Sequence, residues 1–236
     1  MVALFVGKFQ AIKRPGDLLQ AMVKLRTSAG EAGNGARLWS QTQPQQGGTG
    51  EGSAAGASHT AALQCAVPNV LAVFVGSGEL EKELRDLATR EKLRVHFTGF
   101  KNQSELPAIY AAADALVLPS ESETWGLAVN EGMACGLPAI VSDAVGCAPD
   151  LIEEGVTGFT YPVGDTEQLA ARLQALGEMK SRRHDFGPAL AGKLLGYCVE
   201  AAVLGTMKAV GKLTERNAEM LPGDVTNSRL HGPRKS

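Results

Sequence analysis

A chain of 236 residues, 44% hydrophobic and 20% charged with a formal net charge of -2, has room for one large α/β domain with irregular attachments. Near-neutrality gives no electrostatic reason to expect nucleic acid as a partner, because phosphate backbones select strongly basic surfaces. No apolar run approaches the roughly 20 residues needed to cross a bilayer, and the apolar start Met1–Gly7 lacks the basic leader of a signal peptide.

That start reads instead as a buried strand, Leu4–Val6 being the first of six short apolar runs. Val70–Val75, Val95–Thr98, Ala115–Leu118, Ala139–Val141 and Phe159–Tyr161 follow, most ending in Gly, Pro or Ser as buried strands do. Helical patterns alternate with them at Asp17–Arg26, Glu79–Lys92, Glu105–Ala112, Gly126–Cys135, Cys147–Glu153 and Asp165–Leu176. Ser104 and Asp165 are expected to act as N-caps. This alternation predicts an α/β fold, a Rossmann-like doubly wound parallel sheet with ligands at the carboxyl ends of its strands.

Residues 28–66 interrupt the rhythm with Gly, Ser, Gln and Ala, bury too little apolar surface to offset ordering entropy, and are expected to form a disordered insertion. Lys180–His184 reads as a solvated turn. Leu190–Leu213 carries an apolar stripe (Leu194, Leu195, Val199, Val203, Met207, Val210) and reads as a closing helix, and the tail beyond Leu221 as loose. The expected organisation is a Rossmann-like domain over 1–180 that contains the insertion, a closing helical segment over 181–215 and a loose tail over 216–236. Cys65, Cys135, Cys147 and Cys198 are scattered without a C-x-x-C pair and read as reduced thiols.

Chemistry concentrates between Pro119 and Gly146. A strand ends at Leu118, a polar loop follows, and a helix starts near Gly126, so the first helical amides form an anion site at the top of the sheet. Gly126 lets a phosphate approach without meeting a Cβ. Glu123 and Glu131 stand on the loop and inside the helix; eight residues of helix rise about 12 Å, too far for the two to share a proton. That span matches the two ends of a sugar nucleotide, whose paired hydroxyls suit carboxylate acceptors. Spacing alone equally allows two solvated glutamates.

Glu123-Thr-Trp-Gly-Leu-Ala-Val-Asn-Glu131 resembles the E-x-F-G-x-x-x-x-E motif of retaining GT-B glycosyltransferases of the glycosyltransferase-4-like family, with Trp125 in place of Phe. Phe5–Phe9 with Lys13-Arg-Pro15, Phe74-Val-Gly-Ser-Gly78, Phe97-Thr-Gly-Phe100, Ala113–Ser120 and Gly155–Phe159 resemble the same family's carboxyl-terminal domain in the same order. The resemblance covers Val2 to about Leu176 apart from the insertion. It implies that Glu131 binds the ribose hydroxyls and that Glu123 stands beside the donor sugar at the reacting centre. Thr124, Trp125, Gly126 and Leu127 occupy the turn whose amides meet the sugar and distal phosphate. Lys8 and Lys13 match the basic pair that neutralises the diphosphate; Lys8 stands where Arg is usual, keeping charge but losing the bidentate fork. Gly76, with Gly78, allows a tight turn near the nucleotide, and Phe100 falls where the base rests. Without the resemblance either lysine reads as loop surface.

No cofactor or metal is expected: the matching region holds no D-x-D or His/carboxylate cluster, and His96 reads as structural. The donor implied is a nucleoside-diphosphate sugar, a UDP-sugar by family habit, and the acceptor a carbohydrate or lipid-linked molecule. The family's amino-terminal, acceptor-binding domain has no counterpart in the chain, so the isolated chain is expected to bind donor but transfer poorly. A shortened two-domain enzyme, a subunit of a split transferase and a non-catalytic sugar-nucleotide-binding module all accommodate that. An oxidoreductase on the same sheet would need G-x-G-x-x-G, whereas Gly7 is followed by Lys-Phe-Gln-Ala-Ile. The expected location is the cytoplasm, at a membrane surface if the missing half makes the contact.

Overall fold

The computed structural model describes residues 1–39, 69–181 and 185–220. Six parallel strands form one sheet: β1 (Val2–Val6), β2 (Leu71–Val75), β3 (Val95–Gly99), β4 (Ala115–Leu118), β5 (Ala139–Ser142) and β6 (Gly158–Tyr161), in the order β3-β2-β1-β4-β5-β6. The short strands are those the apolar runs predict, and the central ones are buried on both faces. Every residue of β4 and β5 is inaccessible, which is why these segments read as continuous rather than alternating hydrophobicity.

Helices α1 (Gly16–Trp39), α2 (Glu81–Arg90), α3 (Leu106–Ala112), α4 (Leu127–Ala134) and α5 (Ala148–Leu151) connect successive strands, and α6 (Thr166–Ser181) and α7 (Gly187–Leu194) follow β6. Helix α1 packs against α2 and α6, whereas α4 packs against α3 and α7. Under the ends of β1–β3 sits an aromatic core in which Phe74 and Phe97 stack at 5.1 Å and Phe9 meets Phe74 edge-on at 6.0 Å. It anchors the loops that follow these strands.

Helix α1 corrects one boundary. It runs on to Trp39 rather than ending at Arg26, so the expected disordered insertion begins inside a helix. Ala29, Ala32 and Ala36 favour the helix, and adding residues to a nucleated, packed first half costs less than starting one, despite Gly30, Gly33 and Gly35. The remainder of that segment, 40–66, lies outside the described residues.

The capping of α3 is also different. Asn102, not Ser104, accepts from the amides of Ser104 at 3.0 Å and Glu105 at 3.1 Å, an Asx turn that delays the helix to Leu106. Asp165 caps α6 as expected, accepting from Gln168 N at 2.9 Å. Lys180 belongs to α6 rather than to a solvated turn and pairs with Asp114 at 3.0 Å; residues 182–184 lie outside the described residues.

The single closing helix becomes two. Helix α7 ends at Leu194, a turn occupies 195–198 around Gly196, and α8 follows over Val199–Met220. Compact units comprise Met1–Leu194 and the chain from Leu195 onward. The expected stripe is split accordingly: Leu194 packs against the first unit's core, while Val199, Val203, Met207 and Val210 are exposed on α8. Gly187–Lys212 has a mean hydropathy of 1.3 in its most apolar window. By length and composition it therefore meets the size of a membrane span, contrary to the reading by uninterrupted apolar runs. Its Leu, Val, Ala and Met residues raise the average, while interspersed glycines and charged residues keep them from making a run, and the turn at 195–198 interrupts it. The tail from 221 lies outside the described residues.

At the amino edge of the sheet, the Asp114 carboxylate accepts from Val2 N at 2.7 Å and from Lys180. Its partial burial pushes its pKa up, but the Val2 amide and the Lys180 ammonium outweigh that and hold it below the ordinary aspartate range. A carboxylate depressed in this way stabilises the fold above its unfolded pKa and loses that contribution as pH falls below about 4. Asp114→Asn is expected to lower the melting temperature at pH 7 and to flatten the decline between about pH 5 and pH 2. Melting curves of both proteins across that range provide the check.

Candidate active site

The strand order reverses between β1 and β4, and in such sheets ligands lie in the crevice beyond the carboxyl ends at that switch point. Two loops face each other there. From β1 the chain passes Gly7, Lys8 and Phe9 into a single 3-10 turn, Ala11–Lys13. From β4 it passes Pro119–Trp125 into α4.

The β1 loop is fixed from below. Gly7 N donates to Val75 O at 3.0 Å, Phe9 N to Ser77 O at 3.0 Å, and Gly76 N to Gly99 O at 2.9 Å, so the turns after β1, β2 and β3 are joined. Gly76 has a φ of +130° and a Cβ on it would overlap the Gly7 carbonyl. Its role is therefore to let two backbones meet, and Gly78 does the same against the backbone of Phe9.

The β4 loop is fixed from the other side. Gly146 N donates to Glu123 O and Cys147 N to Trp125 O, both at 2.9 Å, and Glu123 forms a parallel bridge with Val145. A Cβ on Gly146 would overlap the Thr124 carbonyl. Trp125 Nε1 donates to Asn130 Oδ1 at 2.8 Å, pinning the aromatic ring to the helix it precedes. Gly126 caps α4 in the left-handed region, φ +101°, with Val145, Leu118 and Cys147 crowding the place of a Cβ. Burial, with Glu123 and Asp150 adding to it, pushes the Cys147 thiol up to about 11, so it stays a neutral packing group. Among the described residues no side chain caps the start of α4; Val129 N turns back to Gly126 O at 2.8 Å, and the amides before it open on the crevice.

The two loops meet through charge. Lys13 Nζ donates to Glu123 Oε2, an ion pair whose side chains retain 25% and 22% exposure. Glu121 N also donates to Ile12 O at 2.8 Å. Alongside, Arg14 pairs with the buried Asp17 at 2.8 Å and with Glu121 at 3.6 Å. The hydrogen bond that Arg14 donates to Asp17 outweighs desolvation and raises the guanidinium's pKa further.

The sequence-selected residues thus divide. Lys13, Glu123, Thr124, Trp125, Gly126 and Leu127 gather at the switch point, with Lys8 exposed on the β1 turn. Glu131 lies one turn into α4 and bonds a different partner, accepting from Tyr110 Oη at 2.8 Å. It opens on a groove of about 370 Å³ between α3 and α4. Phe100 follows β3, 79% exposed; Gly76 is structural in the sense described. Sequence reasoning passed over Tyr110, Arg14, Asp17 and Gly146. A phenol on the inward face of α3 was the one readable sign of the first; Arg14 and Asp17 pair locally at i,i+3, whereas Gly146 acts on a loop distant in sequence. Among the described residues no three His, Cys, Asp or Glu side chains gather as metal ligands, and His96 is exposed on β3.

The family model of glycosyl transferases group 1 matches residues 58–191, more than half of the chain. The chain belongs to this family. Among relatives, the sulfoquinovosyl transferase of Arabidopsis thaliana is 38% identical over 139 residues, 58% of this chain and 27% of that protein. A D-inositol 3-phosphate glycosyltransferase of Mycobacterium marinum is 30% identical over 175 residues, 74% of this chain and 30% of that protein. This glycosyl transferase chain therefore spans about a third or less of those two relatives. Its fold is also that of an Anabaena protein solved with UDP and glucose, at a TM-score of 0.64 and 22% identity over 89% of this chain and 48% of that one. The catalytic domain of the cholesterol-α-glucosyltransferase of Helicobacter pylori matches with a TM-score of 0.59 and 16% identity, over 84% of this chain and 99% of that one.

Proposed function

We propose that the chain is the donor-binding domain of a retaining glycosyltransferase and holds a nucleoside-diphosphate sugar at the β1/β4 switch point. The observation that carries this reading is the meeting of Lys13 and Glu123 across the crevice, beside the uncapped start of α4. A leaving nucleoside diphosphate gains negative charge as the glycosidic bond breaks. Lys8, Lys13 and the α4 amides are fixed donors that act most strongly at that moment, which lowers the barrier. Glu123, with the amides of Thr124 to Leu127, lies beside the sugar. Glu131 accepts from the ribose hydroxyls. UDP is the first donor base to try, because the Anabaena neighbour holds UDP. Transfer further requires an acceptor, a carbohydrate or lipid-linked molecule, placed within about 3–3.5 Å of the reacting carbon, a task assigned here to a second domain or chain.

Calorimetric titration with UDP, GDP and ADP tests the reading. One of the three is expected to bind selectively, and Glu131→Ala to weaken it roughly 10- to 100-fold, as expected for losing two charge-assisted hydrogen bonds. Binding of none by a folded chain, or binding indifferent to Glu131→Ala, would remove it.

A further inference from the structure

Glu131 is held by a residue that takes no part in the reading above. Tyr110, the fifth residue of α3, is 1% exposed, and its ring lies against α4 at Gly132, where a Cβ would touch Tyr110 Cδ1 at 3.7 Å. Core packing thus fixes the ring. Tyr110 also lines the α3/α4 groove, and its hydroxyl donates to Glu131 Oε2 at 2.8 Å. A glutamate side chain has three rotatable bonds, and on a helix surface its carboxylate samples many orientations. Here one oxygen is tied to a group that cannot move without disturbing the core.

The tie does not use up the acceptor. A carboxylate offers about four lone-pair positions and Tyr110 occupies one, so Oε1 and the second position on Oε2 are left for two neighbouring hydroxyls. Burial, reinforced by the adjacent Glu131, pushes the Tyr110 phenol above its ordinary range, so it remains a donor at any working pH.

We infer that Tyr110 is a positioning residue for the donor: its hydroxyl sets the Glu131 carboxylate to receive the vicinal 2′- and 3′-hydroxyls of the nucleotide ribose. The inference rests on the donor-site reading of Glu131. It assigns to folding the ordering of a side chain that the nucleotide would otherwise have to order on arrival.

The test uses the full chain, with UDP, GDP and ADP as probes and the 2′,3′-dideoxy form of whichever binds. Tyr110→Phe keeps the ring and is expected to weaken the ribonucleotide about tenfold, the order of one charge-assisted hydrogen bond. It is expected to leave the dideoxy nucleotide unaffected and to add no loss in a Glu131→Ala background. Equal weakening of both nucleotides would show a merely structural role and overturn the inference, as would unchanged ribonucleotide binding by Tyr110→Phe. If the wild type binds a nucleotide and Glu131→Ala leaves it unchanged, the ribose assignment falls and takes the inference with it. A loss in Glu131→Ala without one in Tyr110→Phe removes the inference alone.

Discussion

Gly146→Ala is expected to destabilise the protein by about 3 kcal/mol, the upper range for forcing volume into a packed site, and to abolish detectable nucleotide binding. Its α-carbon lies against the Thr124 carbonyl, and its amide holds Glu123 O at 2.9 Å, so an added methyl group would overlap backbone rather than a yielding side chain. Relief requires that 143–147 and 123–125 move apart. That would break the bonds from Gly146 and Cys147 and tilt the turn that sets the start of α4. Denaturant midpoints and the same calorimetric titration measure both effects. Wild-type stability in the variant would mean that the two loops are not locked together.

Lys13→Ala is expected to separate binding from folding. The Lys13–Glu123 pair is about a quarter exposed on both sides, so its loss is expected to alter stability by no more than about 1 kcal/mol. Affinity for a nucleoside diphosphate is another matter. The variant removes a cation from the diphosphate site and leaves the Glu123 carboxylate facing an incoming anion, so a drop on the order of a hundredfold is expected. The corresponding nucleoside, which carries no phosphate, should bind both proteins alike. Equal loss for nucleoside and diphosphate would place Lys13 away from the phosphates.

The sheet was legible because fully buried parallel strands carry a dense apolar signal and end in loop residues. Ala115–Leu118 and Ala139–Ser142 could hardly be anything else, and their alternation with helices fixes a parallel arrangement. Helix ends were less legible for local reasons. At α1 the glycines between Ala29 and Ala36 argued for irregular chain, yet the helix passes through them to Trp39. At α3 the competition between Asn102 and Ser104 for the first amides turns on side-chain geometry that letters do not carry. Between α7 and α8, an apolar stripe continuous in sequence conceals the turn at Gly196, because hydrophobic spacing says which side is apolar and not whether the backbone bends.

The site divides along the same line. Glu123, Gly126 and Glu131 are readable because strand, loop and helix place them within nine residues of one another. The partners that give these residues their geometry come from elsewhere: Lys13 from the β1 turn, Tyr110 from α3, Gly146 from the β5 loop. No spacing rule connects such positions. The resemblance of Lys8 and Lys13 to a basic pair supplied a role for the lysines, but not the fact that Lys13 is already engaged with Glu123.

That ion pair also carries a kinetic meaning. Its two members are separated by 110 residues of chain, and they stand on the loops that follow β1 and β4, whose pairing is itself a contact between distant segments. Closing so long a loop is slow relative to forming the local turns and helices on either side. The charge pair is therefore expected to be among the last features assembled as the chain folds, and a chain that has gained its helices but not its central pairing would carry neither the paired charges nor the crevice between them. Recovery of nucleotide binding during refolding should lag behind recovery of helical signal, making the ligand itself the clock for the final step.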